Sequence, residues 1–289
     1  MRWKGREQSR NVEDRRGMPG GRMLVGGGSF GLLVMLLLAA LFGIDPRALM
    51  PLAQNMQQQA PPAQQGGGID DDAKEFVSVV LRDTETVWTE LFDKYVQGGS
   101  YRAPKLVLYQ QMDQTRGCGA ARSEFGPFYC PADQTVYIDP AFFNELARRH
   151  QAPGDFAQAY VIAHEVAHHV QLLTGFSQKV DQVRARGSEV ETNRASVRLE
   201  LQADYLAGVW AHHAHRNYDI LEEGDVREAI VAANQIGDDK LLREAGQVAI
   251  PERYTHGTSK QRVYWFSKGL KTGDLDGCEE LFQLPYDQL

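Results

Sequence analysis

Between residues 73 and 97, apolar side chains recur at three- and four-residue steps: Phe76, Val79, Val80, Val87, Trp88, Leu91, Phe92 and Tyr95. That period puts them on one face of a helix, and Gly98-Gly99 supplies its stop. Lys105 to Tyr109 (KLVLY) and Thr135 to Ile138 (TVYI) are short β-branched and aromatic runs bounded by turn residues, so they are predicted strands. Helical patterns follow over 140–150, 156–174, 188–215, 225–235 and 258–270. No internal repeat is visible. Strands come early and helices late, which predicts an α+β fold, mainly helical with a small sheet, over a wound parallel sheet.

The N-terminal third follows a different pattern. Met23 to Ile44 is 22 residues without a charge. A helix of about 20 apolar residues crosses a bilayer. A cleavable signal peptide is the rival, but Leu38-Ala39-Ala40 is a poor cleavage site, and an uncleaved anchor is favoured. Residues 45–72 are rich in Gln, Pro, Ala and Gly and read as a flexible linker. Its closing Asp70-Asp71-Asp72 suits a helix N-terminus. The predicted layout is therefore a basic tail at 1–22, an anchor at 23–44, a linker at 45–72 and one folded domain at 73–289.

Charge supports that layout. Residues 1–22 hold seven basic and three acidic residues, for +4, so the chain's −7 leaves −11 beyond the uncharged stretch. Basic residues ahead of a span place that end in the cytoplasm. A single-pass protein of the bacterial inner (plasma) membrane is expected, with its folded domain periplasmic or extracellular. The acidic balance argues against nucleic acid as a partner. Three cysteines exclude a disulfide-dense scaffold. In an oxidising compartment Cys118 and Cys130, twelve positions apart in a Gly- and Pro-rich loop, could close a disulfide. Two free thiols are the rival reading. Cys278 is left over.

Candidate chemistry lies on two predicted helices. VIAHEVAHHVQL contains HExxH: His164, Glu165 and His168. Positions four apart share a helical face, so both imidazoles can meet one metal ion. Glu165, beside the first ligand, can serve as general base to a water there. A catalytic zinc site takes a third protein ligand. LELQADYLAG offers Glu200, with Asp204 one turn later. Asp204 can accept a hydrogen bond from the far nitrogen of His164 and fix its tautomer. Leu199, Leu201, Ala203, Leu206, Ala207 and Val209 surround the pair, and two acids in an apolar setting need a cationic or metal partner.

HExxH followed by ExxxD on a later helix resembles the zincin metallopeptidases with a glutamate third ligand. A closer resemblance is to the bacterial family of putative neutral zinc metallopeptidases, carried by GCGAARSEFGPFYCP, VYIDPAFF, IAHEVAHHVQ, RLELQADYLAGVW and THGTSKQRVYWF, from about residue 74 to residue 282. It implies a zincin-like domain, one Zn2+ and hydrolysis of a peptide or protein substrate. His256 and Arg262, six apart in HGTSKQR, look like the His-to-Arg spacing after the zinc site of integral-membrane prenyl-protein peptidases. They are candidate donors to the reaction's oxyanion; a capped helix with a structural arginine is the plain alternative. Tyr254 is a further candidate. TVYID could form an edge strand flanking the cleft, where a substrate backbone adds by strand pairing. His169, His212, His213 and His215 read as structural or solvated. Besides a membrane-anchored peptidase, the sequence admits a zinc-containing binding or scaffold module of the cell envelope with little turnover, or a metal-free structural domain.

Overall fold

The computed structural model describes residues 1–17, 71–96, 98–149 and 151–289. The predicted anchor and the linker up to residue 70 lie outside the described residues. Among the described residues no helix is long and apolar enough to cross a membrane.

Chain order runs β1 (Val12–Asp14), α1 (Asp71–Tyr95), β2 (Lys105–Leu108), β3 (Met112–Gln114), β4 (Ala120–Arg122), β5 (Phe128–Cys130) and β6 (Thr135–Ile138). Then come α2 (Ala141–Arg148), α3 (Asp155–Leu173), α4 (Phe176–Arg186), α5 (Glu189–Tyr218), α6 (Asp225–Gln235), α7 (Asp238–Glu244), α8 (Ser259–Thr272) and α9 (Asp276–Gln283). The architecture is mainly helical with a small mixed sheet, ordered β1-β2-β6-β5. β1, β2 and β6 are parallel, and β5 runs antiparallel to β6. A separate hairpin joins β3 and β4. β6, all four residues buried, lies inside the sheet and not at its edge as predicted for TVYID. Its buried face on both sides explains the unbroken apolar run. The edge near the helices is β5, from the Gly- and Pro-rich segment that precedes it.

The predicted separate tail also needs correction. Residues 1–16 form one compact unit with the chain from residue 70 onward. β1 pairs in register with β2, Val12 opposite Leu106 and Asp14 opposite Leu108. Upstream, the segment meets polar groups that α1 buries. Arg6 donates from both terminal nitrogens to Asp83, each at 2.6 Å. Ser9 Oγ and Asn11 Nδ2 donate to Glu85 at 2.5 and 2.7 Å. Buried carboxylates on an otherwise apolar helix face require such partners. Burial pushes the Asp83 carboxyl up to about 6 even with Arg6 against it. Trp3 packs edge-on against Phe76 at 5.3 Å. The basic residues that suggested a tail are thus in part tied to the fold: Arg15 bonds Glu13 and Asp113, and Arg6 bonds Asp83.

Two long helices set the centre of the molecule. α5 starts with a capping box, Ser188 with Glu191, and α8 with another, Thr258 with Gln261. They cross where Gly208 meets Gly269. A Cβ on Gly208 would lie 2.2 Å from the Phe266 carbonyl oxygen, and one on Gly269 would lie 2.0 Å from that of Tyr205. Only glycine permits this approach, which brings the start of α8 beside the middle of α5. Cys118 and Cys130 form a disulfide with a Cα–Cα distance of 5.9 Å, bracing β5 against the 115–119 turn. Cys278 is free and buried.

Candidate metal centre

α3 is buried along most of its length, and His164, Glu165 and His168 line a cleft of about 460 Å³ between α3, α5 and the β5 edge. That volume is in the usual range for a ligand site. One helical turn separates the two imidazoles, whose ring centres are 4.9 Å apart. Each turns Nε2 toward Glu200 on α5: His164 at 3.2 Å and His168 at 3.6 Å. One donor atom from each of these three residues lies within 4.8 Å of the others.

Acceptors hold the opposite ring nitrogens. His164 Nδ1 is 2.9 Å from Asp204 Oδ1. His168 Nδ1 is 2.8 Å from Gln171 Oε1, and the Gln171 amide donates to the Leu199 carbonyl at 2.6 Å. With Nδ1–H donated outward, each ring in its neutral form would present the Nε2 lone pair inward, as a ligand must. Two imidazoles and a carboxylate with oriented tautomers fit the donor set of a zinc ion. Sequence reasoning missed Gln171. Its signal was position: three residues past His168, it shares that helix face.

Asp204 is fully buried and accepts from four directions: His164, the Tyr160 hydroxyl at 2.5 Å, Arg262 Nε at 2.8 Å and Arg262 Nη2 at 3.0 Å. Burial alone would raise its pKa, but Arg262 and His164 outweigh that and hold it low. Burial likewise opposes ionisation of Glu200, and the His168 and His164 rings outweigh it. His164 would be lowered by burial, yet Asp204 and Glu200 push it up to about 10. Glu165 is raised, chiefly by burial, with the neighbouring imidazoles offsetting part of the effect.

The structure changes the predicted role of Arg262. Its side chain is buried, and its donors go to Asp204, Tyr160 and the Ile236 carbonyl. It braces the carboxylate behind His164. His256 lies at the cleft rim, where Asp238 accepts from its backbone N–H at 2.6 Å and meets Nδ1 at 3.1 Å. Asp238 therefore both starts α7 and fixes the loop carrying His256. Tyr254 is buried and does not line the cleft. His169 is fully buried and joins two elements, with Nδ1 at 2.8 Å from the Tyr129 hydroxyl on β5 and Nε2 at 2.6 Å from the Arg102 carbonyl. His212 and His213 meet backbone carbonyls of Leu270 and Gly273, as structural histidines do.

A family model described as "Putative neutral zinc metallopeptidase" matches residues 1–281. The chain belongs to that family. The match includes the N-terminal segment as well as the two helices of the centre. YpfJ of Escherichia coli strain K12, described as uncharacterized, is 46% identical over 286 residues, covering 96% of this chain and 98% of the relative. Mb2605 of Mycobacterium bovis, also described as uncharacterized, is 36% identical over 258 residues, covering 83% and 84%. No solved structure matches the chain. Family and donor set together point to zinc as the metal.

Proposed function

We propose that the protein is a zinc-dependent peptidase that hydrolyses peptide bonds in an extended substrate. The observation that carries this reading is Glu165: a buried carboxylate lining the cleft, immediately beside the His164–His168–Glu200 donor set. A zinc ion bound there would polarise the scissile carbonyl and acidify a water. Glu165 takes the water's proton and returns it to the leaving amine, a task suited to a carboxylate whose pKa burial has raised. His256, held by Asp238, is positioned to donate from the rim to the developing oxyanion. Arg262 and Asp204 keep His164 in the tautomer that exposes Nε2. β5, at the sheet edge and in the cleft wall, offers backbone groups to which a substrate strand can add.

The uncharged stretch at 23–44 supports contact with the bacterial plasma membrane, though not a single passage through it, which would part β1 from β2. The Cys118–Cys130 bond supports a domain on its oxidising face, periplasmic or extracellular.

The test is metal stoichiometry and peptide hydrolysis on the full chain and two variants. One zinc per chain is expected in the wild type. Glu165→Ala should keep zinc and lose hydrolysis, whereas Glu200→Ala should lose zinc. Unchanged hydrolysis in Glu165→Ala would remove the assigned base. Stoichiometric zinc without cleavage of any peptide in a broad library would favour a zinc-containing binding module.

A further inference from the structure

The segment leading into β5, Phe125 to Phe128, makes one wall of the cleft. Phe125 sits there on a single 3-10 turn with 66% of its surface exposed. Of the large apolar side chains exposed among the described residues, it is the one that lines the cleft. Gly126 follows at φ +73°, in the left-handed region that glycine tolerates. The Cβ it lacks would stand 3.4 Å from Phe142 Cε2, so its absence leaves that ring less covered. Phe128, the first residue of β5, stacks on Tyr137 with ring centres 5.3 Å apart and is itself only partly buried. Three phenylalanines, from the 3-10 turn, β5 and α2, thus border the same opening.

Charge does not compete with this wall. Asp181 and Arg184, across the cleft on α4, meet each other at 3.1 Å. Arg262 is bound to Asp204, and His256 to Asp238. Among the described residues lining the cleft away from the metal candidates and Glu165, each charged side chain therefore has a partner. Away from Glu165 and the metal candidates, no unpaired charge among the described residues of the cleft is offered to an acidic or basic substrate side chain.

We infer that the cleft selects extended peptide segments carrying a bulky apolar side chain, seated against Phe125, Phe128 and Phe142. Leaving Phe125 in water is unfavourable, and a substrate side chain covering it recovers that apolar area. The aromatic wall adjoins the start of the edge strand. A peptide paired with β5 would therefore bring one of its alternating side chains to the wall while its backbone crosses the candidate centre. This inference deepens the peptidase reading and rests on it for the bound orientation.

The experiment measures equilibrium binding of fluorescein-labelled heptapeptides to the zinc-loaded full chain carrying Glu165→Ala. The peptides differ only at the central residue: Ala, Glu, Lys or Phe. The Phe peptide should bind about tenfold more tightly than the Ala peptide, the scale of discrimination an apolar pocket provides. Adding Phe125→Ala should erase that preference, and Phe125→Leu should keep most of it, with zinc content unchanged in both. Equal binding of the Phe and Ala peptides, or a preference that survives Phe125→Ala, would overturn the inference. Wild-type turnover separates the two proposals. A preference without cleavage would leave this subsite standing and the peptidase reading failed. Cleavage with equal kcat/KM across the set would do the reverse.

Discussion

Arg262 grips Asp204 with two nitrogens, at 2.8 and 3.0 Å, and both side chains are buried. The pair joins α8 to α5 directly behind His164. Removing one partner strands the other in a dry site. Arg262→Met should therefore destabilise the protein by about 3–5 kcal/mol. It should also weaken zinc binding by about 10–100-fold, because His164 loses its braced acceptor. Urea unfolding and chelator competition read the two effects. Arg262→Lys should recover little, since an ammonium cannot reproduce the planar fork. Wild-type zinc affinity in Arg262→Met would count against the bracing role.

Gln171 does for His168 what Asp204 does for His164, but without a charge. Gln171→Leu should lower zinc affinity by about tenfold or more. The lost hydrogen bond to the Leu199 carbonyl should also cost about 1–3 kcal/mol. Competition with a zinc chelator at fixed pH checks the first claim, and thermal unfolding of the metal-free protein checks the second.

Protons and zinc compete for His164. With its pKa pushed up to about 10, the metal-free imidazole is protonated at neutral pH, and a ligand must be neutral. Zinc binding at pH 7 should then release about one proton from His164. Affinity should rise as pH rises and stop gaining from this source near pH 10. Calorimetry in buffers of different ionisation enthalpy counts the proton. A count near zero at pH 7 would show that His164 is already neutral.

The glycine crossing of α5 and α8 positions Arg262. Gly208→Ala and Gly269→Ala each place a methyl group within 2.2 Å of a backbone oxygen. Overpacking of this kind costs about 1–3 kcal/mol where the structure can shift, and more where backbone must move. Both variants should show lower unfolding midpoints and weaker zinc binding, although neither residue touches the metal candidates. Normal zinc affinity alongside reduced stability would separate the crossing from the centre.

Features set by short-range spacing were legible in the sequence. His164, Glu165 and His168 share one turn of α3, and Glu200 and Asp204 one turn of α5, so a four-residue spacing announced each group. That the two turns face each other followed from zinc's need for a third ligand and was reached by chemistry. Arg262 was singled out by its distance from His256, but its partner was not. Asp204 lies 58 positions away, and the contact depends on two glycines whose packing has no local signature. β5 was hidden within a loop because three residues rich in turn neighbours show no alternation. α4 buries only Phe176 and Val180 and carries no readable stripe. β1 was the largest miss, since Val-Glu-Asp has no apolar period and its pairing is made with residues 106–108, far along the chain.

The pairing of β1 with β2 bears on how the chain is threaded during synthesis. Val12 to Asp14 leave the ribosome about ninety residues ahead of their partners and must wait for them on the same side of any bilayer. One passage of residues 23–44 through lipid would leave the two strands on opposite sides. Those 22 uncharged residues are too few to go over and back, which takes about 40. Impermeant maleimide applied to intact cells should therefore treat Arg10→Cys and Asp287→Cys alike, reaching both or neither. If it reaches only one, the two segments lie on opposite sides of the membrane and the pairing of β1 with β2 cannot form there.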